Sequence, residues 1–204
     1  MRKLLLAGAL VLPLVALGTY FSLRRPAQTE LGFRAGTFEP PRAAPPFTLE
    51  GSNGKKLSLR DHLGKVVILY FGFTYCDKVC PVTLARLTEV YAKLGSAARD
   101  VQLIFISVDP KRDSPERMRE HLTAFNPGFL GATGKPEELA AVRSAYGVVA
   151  EELVSKNKAQ GYEVNHSSSL YLVDRKGKLR ALVTYGTPSD DIVHELQLLL
   201  KTQP

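Results

Sequence analysis

A chain of 204 residues, 45% hydrophobic and 23% charged, can bury the core of one domain and is too apolar to be disordered or fibrous. Its formal net charge of +7 falls to +3 once Arg2, Lys3, Arg24 and Arg25, which flank an N-terminal apolar segment, are set aside. The other basic residues are dispersed among acidic ones, as in RKGKLR and EELVSK, so the basic stripe with interleaved aromatics of a nucleic-acid binder is missing and no nucleic-acid partner is expected.

Leu4 to Leu23, LLLAGALVLPLVALGTYFSL, runs uncharged for about the length that crosses a hydrocarbon core. Residues 1–25 are therefore read as a membrane anchor or signal segment. Ala16-Leu17-Gly18 has the small-residue pattern of a signal-peptidase site, but the apolar run continues through Tyr20 and Phe21, which favours an anchor left in place. Pro13 is tolerated in a spanning helix. The lack of a cysteine near Gly18 argues against lipoprotein processing. Arg2 and Lys3 oppose Arg24 and Arg25, so charge alone does not orient the segment. Export of the following domain is the commoner outcome for such a leader and would place it, membrane-anchored, on the extracytoplasmic side, in an oxidising compartment. Residues 26–45 are proline-rich and read as a tether, with the folded domain at 46–204.

Phe47 to Leu59 places a Gly-Ser-Asn-Gly turn between two short alternating stretches, which predicts a hairpin. Lys65 to Phe73, KVVILYFGF, is a continuous apolar and β-branched run suited to a strand buried on both faces. Pro81 opens a helix in which Leu84, Leu87, Val90, Tyr91 and Leu94 recur at helical spacing, with Gly95 as its stop. Val101 to Val108 reads as a second buried strand. Ser114-Pro115 starts a helix running to Phe125, and Pro136 starts another ending near Tyr146. SLYLVD and LRALVTY, joined by Arg175-Lys176-Gly177-Lys178, form a hairpin, and a last helix from Thr187-Pro188 lines up Ile192, Val193, Leu196, Leu199 and Leu200. This order predicts an α/β fold, a three-layer sandwich of thioredoxin type with a mixed central sheet.

Both cysteines of the chain lie in FGFTYCDKVCP, where the first buried strand meets its helix. Cys80 is expected to cap that helix and Cys76 to lie in the loop feeding it. The positive end of the helix dipole there favours thiolates, which serve nucleophilic attack and metal binding alike. A structural disulfide would close a very short loop and gain little chain entropy, though a reversible one fits. A thioredoxin-like oxidoreductase would instead carry CxxC and a proline facing it before a later strand. GYEVNHSSSLYLVD has no proline there and presents His166 before the strand beginning near Leu170. His62, His121 and His194 read as solvent-exposed or hydrogen-bonded side chains. Two thiolates and an imidazole make a three-ligand set suited to Cu(I), or to Cu(II) with a water or carboxylate added, whereas structural zinc wants a fourth protein ligand.

At these residues the chain resembles the Sco (SenC) family of copper proteins, over about Pro45 to the C-terminus. The resemblance rests on FGFTYCDKVCP, on ISVDPKRDSPE with Asp109 and Asp113, on NPGFLGATG, and on the histidine before SSSLYLVDRKG. It implies a membrane-anchored, thioredoxin-like protein that assists assembly of the binuclear copper centre of cytochrome c oxidase, binding copper through Cys76, Cys80 and His166. Asp77 and Lys78 stand where similar proteins have proline and aspartate, and Asn165 where they often have aspartate. Asp109 and Asp113 could act near copper or at a partner surface, or simply shape a turn and helix cap; Met118 reads as helix packing. The expected function is a metallochaperone handing copper to an oxidase subunit, with other copper chaperones as further partners. The alternative is a thiol-disulfide reductase in which Cys76 attacks and Cys80 resolves. A peroxidase is the weaker third reading, because no peroxide-activating arginine is identifiable near the cysteines.

Overall fold

The computed structural model describes residues 32–154 and 161–202. The chain divides into two units, Met1–Gly32 and Phe33–Pro204, and every described element belongs to the second. The anchor expected at residues 4–23 lies outside the described residues, and no helix among those described is long and apolar enough to cross a membrane.

In chain order the elements are β1 (Gly36–Ala43), β2 (Thr48–Gly51), β3 (Lys56–Ser58), β4 (Val66–Gly72), α1 (Val79–Leu94), β5 (Val101–Ser107), α2 (Pro115–Thr123), β6 (Leu130–Thr133), α3 (Pro136–Tyr146), β7 (Ala150–Val154), β8 (Tyr162–His166), β9 (Leu170–Val173), β10 (Lys178–Val183) and α4 (Ser189–Leu200). Short 3₁₀ turns at Leu59–His62 and Gly95–Asp100 lead into β4 and β5. Eight strands form one sheet in the order β1-β10-β9-β4-β5-β6-β2-β3, and β7 pairs with β8 in a separate ribbon. β4, β5 and β6 run parallel, while β9 lies antiparallel on the other flank of β4.

The uninterrupted apolar run of β4 follows from this central place, where all seven of its residues are buried. Alternation divides them between two cores. Val67, Leu69 and Phe71 face Leu139, Val142 and Tyr146 of α3. Val66, Ile68 and Tyr70 face a core shared with Leu84, Leu87 and Val90 of α1, Met118 and Leu122 of α2, and Ile192, Leu196 and Leu199 of α4. The result is the expected three-layer α/β sandwich with a mixed sheet.

Three local expectations need correction. Residues 36–43, read as tether, form β1, antiparallel to β10. Pro40 and Pro41 fall where its register shifts, and the strand is the outermost of the sheet, the position in which missing N–H donors are tolerated. α1 begins at Val79 with Lys78 as N-cap, so Cys80 lies in the first turn rather than capping it. Pro81 then sits third in the helix, where a backbone N–H would have no intrahelical acceptor in any case. Finally, residues 162–166, expected only as the approach to the strand near Leu170, form a strand, β8, that ends at His166. β6 is a further strand that periodicity does not reveal.

Candidate metal centre

The site forms where β4 ends and α1 begins. Lys78 makes no side-chain capping bond, and α1 has no acidic residue in its first turn. The sulfur of Cys76 fills that role by accepting the Cys80 N–H at 3.3 Å. A sulfur held at a helix N-terminus by N–H donors is stabilised as the anion. The Cys76 thiol is accordingly drawn down to about 3, chiefly by the hydrogen bond with the Cys80 side chain and further by His166 and the N–H groups of Cys80 and Lys78, against the opposing effect of burial. Cys80 is driven the other way. Sharing a hydrogen bond with the ionised Cys76 in a buried position keeps its own proton on. Neither cysteine is in a disulfide; Cys76 is half-buried and Cys80 buried.

His166 arrives from the β7–β8 ribbon, opposite Ala150 in register. Its Nε2 lies 3.8 Å from Cys80 Sγ, and its Nδ1 lies 2.9 Å from the Ser167 carbonyl. With Nδ1–H donating to that carbonyl, Nε2 is the ring nitrogen turned toward the sulfurs. The Phe73 ring stands edge-on to the imidazole with centroids 5.8 Å apart and limits its rotation. One ligand atom from each of Cys76, Cys80 and His166 lies within 4.8 Å of the other two. Donors that bond one ion at about 2.0–2.3 Å stand at most about 4.6 Å apart, so the three atoms are already close to a common coordination sphere. Two sulfurs and one nitrogen match the donors that copper prefers. The half-buried Cys76 opens on a cleft of about 330 Å³ lined also by Tyr75, Lys78, Val79, Leu153 and Asn165.

Asp109 and Asp113 lie behind the donors, both buried. Asp113 accepts the Thr74 N–H at 3.1 Å, the Thr74 hydroxyl at 2.7 Å and the Ser107 hydroxyl at 2.7 Å, thereby tying the cysteine loop to the end of β5. Its burial raises its carboxyl above the ordinary range, an effect these donors offset in part. Asp109 accepts the Tyr162 hydroxyl at 2.6 Å and pairs with Arg112 Nε. Arg112 also donates to the Tyr162 carbonyl at 3.1 Å and stacks on its ring at 3.8 Å. One aspartate thus braces the cysteine loop and the other braces β8, and Ser114, not either aspartate, is the helix cap.

Met118 is buried over Gly131 in the helix layer, as expected of a packing residue. His62, His121 and His194 stand apart from the donor set. The first two are partly buried, each with a buried Nε2 that has no hydrogen-bond partner, and burial lowers the pKa of each. Sequence reasoning passes over Thr74, Ser107, Arg112 and Tyr162. A usable signal exists for the last: in YEVNH, Tyr162, Val164 and His166 alternate, so a strand there puts them on one face.

Residues 36–201 match the SCO1/SenC family model. An SCO2-like protein of Rickettsia prowazekii is 35% identical over 133 residues, which span 65% of this chain and 65% of that one. Among solved structures, Bradyrhizobium japonicum ScoI with copper bound is 34% identical with a TM-score of 0.71, covering 78% of this chain and 99% of its own. BsSco, a member of the Sco family of cytochrome c oxidase assembly proteins in which a disulfide switch was identified, is 27% identical with a TM-score of 0.64, covering 80% of this chain and 96% of its own. With the family pattern matched from the first strand to the end of the last helix, the chain belongs to the SCO1/SenC family.

Proposed function

We propose that this protein binds one copper ion through Cys76, Cys80 and His166 and delivers it during assembly of cytochrome c oxidase, to the subunit that houses the binuclear copper centre. The observation that carries the reading is the convergence of two sulfurs and one imidazole nitrogen within 4.8 Å. The difference in exposure between the cysteines suits transfer. Cys80, fully buried, anchors the ion, while Cys76 stands at the cleft where an acceptor's thiolate can displace it. Oxidation of the pair to a disulfide, with two electrons passing to an external acceptor, removes both thiolates and releases the metal, so loading follows redox state. The N-terminal apolar segment would hold the domain at a membrane on its extracytoplasmic side. Copper-bound ScoI and the oxidase-assembly family of BsSco support this reading.

A second reading, reduction of disulfides in an oxidase subunit, is favoured by one observation: Cys76 is a half-buried, stabilised thiolate at the cleft beside a protonated partner, the arrangement of an attacking and a resolving cysteine. His166→Ala separates the two. For a metallochaperone the variant loses copper affinity by more than about 100-fold, since a direct ligand outweighs the 10–100-fold typical of outer partners. Its exchange with a small disulfide stays within about threefold of the parent, as expected when the thiolate is held chiefly by the Cys80 side chain. Unchanged copper affinity in this variant would overturn the assignment of His166.

A further inference from the structure

The hydroxyl of Tyr70 is an anomaly of the core. Tyr70 is completely buried, and its Oη has no hydrogen-bond partner. Phenylalanine would fill the same space without stranding a polar group, and buried hydroxyls without partners are uncommon enough to call for an explanation. The ring is fixed edge-on against Phe105 with centroids 5.5 Å apart, so the hydroxyl cannot swing away to another partner. Its surroundings identify its target. Tyr70 and Gly72 share the face of β4 that looks onto α1, and a Cβ on Gly72 would lie only 3.0 Å from Cys80 Sγ. Cys80 packs in the same core cluster as Tyr70, and its side chain and that of Thr83 act on the Tyr70 hydroxyl. Thr83 already donates its own proton to the Val79 carbonyl.

We infer that Tyr70 is a positioning residue whose O–H donates to the Cys80 sulfur once that sulfur serves as a metal-bound thiolate. Its hydrogen bond is held in reserve for the loaded state and accounts for a polar group in an otherwise apolar core. A hydrogen bond to a coordinating thiolate withdraws electron density from the sulfur, which weakens its donation to copper and favours the reduced ion.

This rests on copper being bound by Cys80, and the test keeps the two claims apart. The full chain, its Tyr70→Phe variant and its Thr83→Val variant are reduced and loaded with Cu(II), and the thiolate-to-copper charge-transfer band is recorded. Parallel competition titrations measure Cu(I) and Cu(II) affinity. Expected for Tyr70→Phe is a band moved to longer wavelength and a ratio of Cu(I) to Cu(II) affinity lowered by about threefold to tenfold, with thermal stability equal to the parent's or higher; Thr83→Val leaves the band in place. A Tyr70→Phe band identical to the parent's overturns the inference, as does an equal displacement in Thr83→Val, which would trace the effect to packing. A parent chain with no thiolate band at all would instead sink the copper assignment itself.

Discussion

Cys76 and Cys80 are chemically identical residues made different by place. Cys76 accepts N–H groups at a helix N-terminus, and Cys80 lies behind it in the apolar core. At neutral pH one is a thiolate and the other a thiol. Because the Cys76 thiolate persists down to about 3, its alkylation by iodoacetamide should be nearly independent of pH between about 5 and 8, whereas an ordinary thiol gains about tenfold per unit over that range. Peptide mapping after brief treatment should find the label on Cys76, with Cys80 modified only on unfolding. Asp113 works at the same scale. Asp113→Ala strands the Thr74 N–H and the Thr74 and Ser107 hydroxyls in a buried setting. We expect a loss of about 2–4 kcal/mol in urea unfolding, together with weaker copper binding as the cysteine loop loosens.

Elements bring the donors together, and two contacts control how well. Gly72, the last residue of β4, leaves the space that Cys80 Sγ and the Phe105 ring occupy; an added Cβ would meet that ring at 2.7 Å and the sulfur at 3.0 Å. Gly72→Ala should therefore cost about 1–3 kcal/mol of stability and lower copper affinity more than a comparable substitution elsewhere in the sheet. The β7–β8 ribbon is fastened by the Tyr162 hydroxyl on Asp109 and by Arg112 on the Tyr162 ring and carbonyl. Tyr162→Phe removes one bond to a buried carboxylate, worth about 1.5–3 kcal/mol, and should speed amide hydrogen exchange in β8 while leaving β4 and β5 protected. These elements differ in how far they are legible in sequence. β4 and β5 announce themselves because strands buried on both faces must be apolar throughout, and the CxxxC follows directly from their junction with α1. β6 is hidden because Gly131 and Ala132 carry almost no side-chain signal, a requirement of the close approach of Met118. β8 is hidden because its ribbon lies outside the main sheet, leaving its alternation half polar. Proline masks β1, since an outermost strand can dispense with N–H donors that a central one needs. His166 could be picked out by its position before β9, but its fastening through Tyr162 and Asp109 joins residues 53 apart and leaves no local trace.

At the scale of the whole molecule, the sheet is completed by residues ahead of the hairpin at which the sequence places the start of the domain. β1 pairs with β10, the Ala44 N–H bonds the Gly177 carbonyl at 2.9 Å, and the Arg34 N–H bonds the buried Glu195 at 2.7 Å. A fragment starting at Phe33 should retain a cooperative urea transition, and one starting at Phe47 should unfold at clearly lower urea, because β10 loses one of its two partners and becomes an exposed edge. The sandwich thereby holds two distant segments, the β4–α1 junction and the end of β8, at one place. The central claim is that they share a single copper ion. X-ray absorption at the copper edge of the reduced, Cu(I)-loaded full chain tests it most directly. Our account predicts one copper per chain with two sulfur neighbours and one imidazole nitrogen, the nitrogen signal disappearing in His166→Ala. A sphere of sulfur alone, or one of nitrogen and oxygen that survives loss of the cysteines, would contradict it.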